Sequence, residues 1–155
     1  MRIWPTVAAL AGAAAVTGVA LAATGHSARG SGHVTFGATH ENVSFSAQQQ
    51  SADDTATGNA EVNDASAGVR AHIDVNCLNV IGNYAIVSGV VTSSNEPALV
   101  GDEAAFAVQD NGEGSKAPPD LMSIVNFYNA GVGPDCRVVS EYDLVPLQGG
   151  NIQVD

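Results

Sequence analysis

Positive charge is scarce in this chain. Five Lys and Arg residues stand against 16 Asp and Glu, for a formal charge of −11. A polyanion of this kind is repelled by phosphate backbones and anionic lipid headgroups, which argues against nucleic-acid partners. Aromatic residues are few as well, at 5% of the chain, and the one tryptophan, Trp4, lies in the N-terminal apolar stretch. The expected core is therefore aliphatic, supplemented by four Phe. No long segment carries apolar residues at helical spacing. No Gly-x-Ser-x-Gly elbow, no phosphate-binding glycine loop and no zinc-like spacing of His or Cys is present. Cysteine is limited to Cys77 and Cys136.

Two cysteines in an exported chain most often form one disulfide, and Cys77–Cys136 is the expected pair. A catalytic thiol is the alternative, although no His and Asn context supports it. Export itself is read from the N-terminus. Arg2 supplies a short positive region, Val7 to Leu21 is apolar and uncharged, and Ala20-Leu21-Ala22 is a small-residue cleavage site. Residues 1–22 are thus expected to be a signal peptide. The alternative is an uncleaved anchor, against which the run is short and rich in Ala and Gly. No Cys follows the cleavage site, which excludes a lipoprotein anchor. The expectation is a secreted protein with no stable membrane anchor after cleavage. Residues 23–32 read as a flexible Gly/Ser leader, and 33–155 as one β domain.

What the chain does contain is β-branched alternation punctuated by glycine, of which there are 17. The clearest unit is Val69 to Thr92, two apolar runs around Gly82-Asn83. That pair suits a two-residue hairpin turn, because both residues accept positive φ. Apolar parity switches between Val75 and Leu78, which a regular strand forbids. Either a bulge lies near Cys77-Leu78, favoured here because it bends a sheet towards closure, or the turn end is buried on both faces. Further strands are expected at His33–Gly37, Val43–Ala47, Gly58–Val62, Ala104–Val108, Leu121–Tyr128 and Asn151–Val154, with a short extended piece at Cys136–Val139. The expected fold is all-β, a single small antiparallel sandwich or barrel of about eight strands. The candidate core is Val34, Phe36, Val43, Phe45, Ile73, Val75, Ile86, Val90, Phe106, Val108, Ile124 and Phe127. The first and last strands, short and weak as lone edges, are expected to pair through Val34, Phe36, Ile152 and Val154.

Several stretches together carry a resemblance: VTFGA, the hairpin VRAHIDVNCLNVIGNYAIVSG, FAVQDNGEG with PPD, and the ending GGNIQV. In this order the chain resembles small secreted bacterial β domains that often follow choice-of-anchor modules, over about Val34 to Val154. The resemblance implies a β fold outside the cytoplasm and no reaction. The chain departs from the usual loop in carrying Lys116-Ala117-Pro118-Pro119-Asp120.

Two clusters offer chemistry. Asp110, Asn111, Glu113 and Asp120 provide oxygen ligands for a hard cation such as calcium, in a loop whose Gly112 and Gly114 allow a tight wrap. The spacing is not that of an EF-hand, and a solvated Asn-Gly turn is the plainer account. His72 and Asp74, two apart on one strand, share a face and form half of an acid/base site, or else an exposed polar pair. The function expected is an exported, non-enzymatic module that binds an extracellular protein or glycan or plays a structural part. The alternative is a secreted hydrolase with its site near His72 and Asp74 or near Asp110 and Glu113. A pocket joining the clusters favours the hydrolase, and an unbroken exposed sheet favours the module.

Overall fold

Alternation of apolar and polar side chains builds one antiparallel sheet. The computed structural model describes residues 25–51 and 55–155, so the expected signal peptide lies outside the described residues. The strands are β1 (His26–Phe36), β2 (Thr39–Gln49), β3 (Thr57–Asp64), β4 (Val69–Ile81), β5 (Tyr84–Ser94), β6 (Glu103–Gln109), β7 (Leu121–Met122), β8 (Asn126–Tyr128), β9 (Val145–Pro146) and β10 (Gly150–Val154). Their order across the sheet is β10-β1-β2-β3-β4-β5-β6-β7-β9, with β8 also pairing β6. The sheet curls into a half-barrel. Among the described residues the one helical element is a 3-10 turn at Pro97–Leu99.

Strand β2 shows how the pattern works. Val43, Phe45 and Ala47 face inward and are buried, while Asn42, Ser44 and Gln48 face out. Across the interior, Phe45 meets Phe106 of β6 edge to face, with ring centroids 5.2 Å apart. Ile73, Leu78, Val87, Val91, Met122 and Ile152 complete the core.

The β4–β5 hairpin turns at Gly82-Asn83 as expected, with Gly82 at φ +62°. The pairs Ile81↔Tyr84, Leu78↔Val87 and Cys77↔Ser88 hold. A register shift between Val75 and Cys77 leaves Asn76 as the extra residue, and this bulge lets Ala71, Ile73 and Val75 share the interior with Leu78. A second shift between His72 and Ile73 was not foreseen. It leaves Thr92 as the extra residue of β5, whereas the bulge at Asn76 already sets Val75 opposite Gly89 and Ile73 opposite Val91, so Val91 is buried where Val90 was expected. The turn end is also covered on both faces: Ile86, Ala107 and Cys136 form a small outer cluster.

Several expectations need correction. Strand β1 begins at His26, so most of the expected leader is ladder: Ala28–Gly32 pairs with β10 on one edge while β2 lines the other. The N- and C-terminal strands do pair, but through Ala28↔Val154 and Gly30↔Ile152, not through Val34 and Phe36. Phe36 is 40% exposed at the rim. Gly30 and Gly32 are needed for close approach. A Cβ on Gly30 would overlap the Asn151 carbonyl oxygen and sit 2.9 Å from Ile152 Cα, and one on Gly32 would meet the Leu147 side chain. The Gly/Ser composition therefore reflects a trough for the tail. Finally, the expected seventh strand is interrupted at residues 123–125, and residues 136–139 form no strand.

The chain from Val145 to Gly150 bridges the two ends of the sheet. Val145 and Pro146 pair β7, Gln148 N–H donates to the His33 carbonyl, and His33 N–H donates to that of Gly149.

Candidate functional site

His72 stands on the convex outer face of β4, beside Glu61 of β3, with which it is in direct register. Its Nδ1 bonds the Glu61 carboxylate, and its Nε2 lies 3.2 Å from Asp74 Oδ1. The expected His72–Asp74 pair thus exists, and Glu61 is a partner that only strand register could supply. The Glu61 hydrogen bond raises the His72 pKa against a small opposing effect of burial, and Asp74 adds to the rise. A raised His pKa stabilises the fold fully below the unfolded value near 6.5, and that contribution is lost as pH climbs through the folded value. Both ring nitrogens are therefore committed to carboxylates. The hollow beside His72 is lined by Arg70, Ser93, Ser94 and Asn95, yet no ring nitrogen remains to take a proton from Ser93. Asp110, Glu113 and Asp120 do not line this hollow.

The four residues expected as cation ligands do come together, around the C-terminal strand. Asp120, 6% exposed, accepts Asn111 N–H at one oxygen (2.8 Å) and Ile152 N–H at the other (2.7 Å). Asp110 accepts Gly112 N–H (2.7 Å) and Val154 N–H (3.2 Å). Glu113 accepts from the Asn151 and Gln153 side-chain amides. Asn111 accepts from Gln109 and donates to the Pro119 carbonyl. One edge of β10 is thus paired by β1 backbone, and the other by the carboxylates of this loop. Among the described residues, the one group of three His, Cys, Asp or Glu ligand atoms within 4.8 Å of one another is Cys77, Asp135 and Cys136. Its sulfurs are joined as a disulfide, with Cα atoms 6.1 Å apart. Each carboxylate oxygen of Asp110 and Asp120 already accepts a backbone N–H. The expected result of adding millimolar calcium is an unchanged Tm; a rise of several degrees would establish ligation.

A buried carboxylate that the sequence reading passed over is Glu41, only 2% exposed on the inner face of β2. Extending the Val43-Phe45-Ala47 alternation back by two residues would have found it. Glu41 Oε2 accepts Val125 N–H at 2.8 Å, capping the interruption between β7 and β8. Burial pushes its pKa up to about 7, opposed by the Val125 bond and helped by the neighbouring charge of Asp64. Because the folded value exceeds 4.5, stability is fully present below about pH 4.5 and declines as pH rises through 7. Glu41→Gln should keep the Val125 bond and remove the ionisation cost. It is expected to gain about 1–3 kcal/mol at pH 8 and nothing at pH 4, read by thermal melts at both. A variant less stable than the parent at pH 8 would contradict this account.

A third feature lies beyond the sequence reading. A groove of about 460 Å³ runs beside β8, between Phe36 and the chain from Val132 to Asp143. Tyr128 and Tyr142 line it. The Tyr142 hydroxyl is buried without a hydrogen-bond partner, and burial pushes its pKa up to about 12, with Tyr128 and Tyr84 adding to the rise.

The described residues contain no helix long and apolar enough to cross a membrane. The disulfide is characteristic of an oxidising compartment. Comparison with known proteins found no matching family, no matching curated protein and no matching solved structure.

Proposed function

We infer that this chain is an exported, non-enzymatic β module that acts by binding outside the cytoplasm. The observation that carries the inference is the use made of each reactive cluster. Both nitrogens of His72 are held by carboxylates, and Asp110, Glu113 and Asp120 are spent on the C-terminal strand. Neither cluster retains a free base beside a nucleophile, which general acid–base and nucleophilic catalysis require. The acidic charge supports solubility outside the cell and disfavours nucleic acid. The resemblance to secreted domains that follow choice-of-anchor modules agrees with this reading.

The test is turnover of chromogenic ester, glycoside and phosphoester substrates. None is expected above buffer. Hydrolysis that disappears in His72→Ala or Glu113→Gln would restore the hydrolase alternative. Export has its own test. N-terminal sequencing of protein recovered from the medium should begin at, or within a few residues of, Ala23, which leaves β1 whole from His26. A product retaining Met1 would refute cleavage.

A further inference from the structure

Six large hydrophobic residues are exposed among the described residues: Phe36, Ile81, Val100, Val132, Val138 and Val139. Four of them sit at the β8 groove or on the chain that walls it. Scattered exposed apolar residues need no explanation, but a concentration around one groove marks an interaction surface. The groove is also one-sided in charge. Glu141 and Asp143 line it, and no Lys, Arg or His does.

The backbone adds an independent feature. Ser123 N–H bonds the Ala107 carbonyl, and Asp110 N–H bonds that of Asn83. Odd-numbered residues of β6 therefore direct their backbone groups towards β7 and β8. Asn126 and Tyr128, opposite Ala105 and Glu103, take those bonds. By the alternation of an antiparallel ladder, Phe127 turns its N–H and C=O away from β6, and neither has a partner among the described residues. Strand β9 lies opposite β7 through Leu121↔Pro146 and Met122↔Val145. Continued backwards, that register would set residues 139–141 opposite 126–128. Instead the chain leaves the row there, and residues 140–143 wall the groove. The row beside β8 is open over the length of a short strand.

We propose that this open row receives an extended peptide from a partner protein, added as a strand to β8. Backbone bonds to Phe127 would set its register. Apolar side chains on one face would cover Phe36, Ile124, Tyr128 and Val132, and basic side chains on the other would meet Glu141 and Asp143. The proposal rests on the reading of the chain as a binding module and gives that module its partner class.

The test uses the disulfide-intact protein and a short, capped, fluorescein-labelled peptide of alternating lysine and valine. Binding is followed by anisotropy and by backbone amide NMR. The peptide should bind and shift the amides of residues 126–128. Methylating alternate peptide nitrogens removes the strand donors and should weaken binding by about tenfold or more, as should replacing lysine by glutamate. Glu141→Gln with Asp143→Asn should weaken the lysine peptide and not one in which serine replaces lysine. Absence of binding overturns the proposal, as do amide shifts confined to another face or equal affinity for the N-methylated peptide. Shifts at 126–128 that arise on concentrating the protein alone would assign the edge to a second copy of this chain and overturn it too. Failure here with no turnover leaves the binding module standing, whereas turnover overturns the module whatever the peptide does.

Discussion

Deleting Gly149 to Asp155 should abolish most of the cooperative unfolding transition. The tail looks dispensable in length, yet Ile152 is fully buried, and Ala28, opposite Val154, has no exposure. Removing β10 strips five register pairs from β1, from Gly32↔Gly150 to Ala28↔Val154. It also leaves the Asp120 carboxylate, 6% exposed, without its Ile152 partner, and half-satisfied buried polar groups are costly. Lost burial of Ile152, with that of the partly buried Val154, amounts to about 2–5 kcal/mol, a large part of the whole stability of a small domain. Gly30→Ala tests the same contact without a deletion. Its Cβ would collide with the Asn151 carbonyl, so β10 must lift away. Both variants should melt well below the parent, whereas Ser31→Ala, on the exposed side of the same strand, should not. A truncated protein whose Tm stays within a degree or two of full length would show that the tail is an ornament on a sheet complete without it.

The same contact shows where sequence reasoning succeeds and where it stops. Period-2 alternation revealed the antiparallel sheet, the Gly82 turn and the parity break between Val75 and Leu78, because each is dictated by local backbone chemistry. It missed the first seven residues of β1. There, glycines sit where large side chains would mark a strand, and their reason lies some 120 residues away in Ile152 and Leu147. For Asp110, Asn111, Glu113 and Asp120 it left cation ligands beside the plainer account of a solvated turn. An acid-rich loop next to a strand looks the same whether its oxygens face a cation or a neighbouring strand's N–H groups. Glu61 beside His72 follows from the β3–β4 register alone, and the β8 groove follows from the chain leaving a row that only the closed sheet defines.

Removing the crosslink with Cys77→Ser and Cys136→Ser should destabilise the protein by about 4 kcal/mol, by the entropy of a loop spanning 59 positions. On a domain of this size that is a fall in Tm of about 10 °C. Loss is expected to be uneven. Between β8 and β9 the chain has only local backbone bonds, such as Val132 N–H to the Asn129 carbonyl and Val138 N–H to that of Asp135. Its other ties are side-chain bonds: Asn79 to the carbonyl of Cys136, and Glu103 to Gly133 N–H. Cys136, 1% exposed, anchors it over Ile86 and Ala107 on the outer face of β5 and β6. Without the anchor this segment should open first, uncovering Ile86 and Ala107 while β1 to β5 stay folded. Hydrogen exchange separates this from global weakening. The bonded amides of this segment, those of Val132, Gly133, Arg137 and Val138, should lose in the serine variant the protection they have with the bridge intact, at temperatures where amides of β2 to β4 keep theirs, and the groove beside β8, walled by the same segment, should lose its form with them. Uniform loss of protection would mean that the bridge stabilises the sheet as a whole, and an unchanged Tm would mean that it constrains neither.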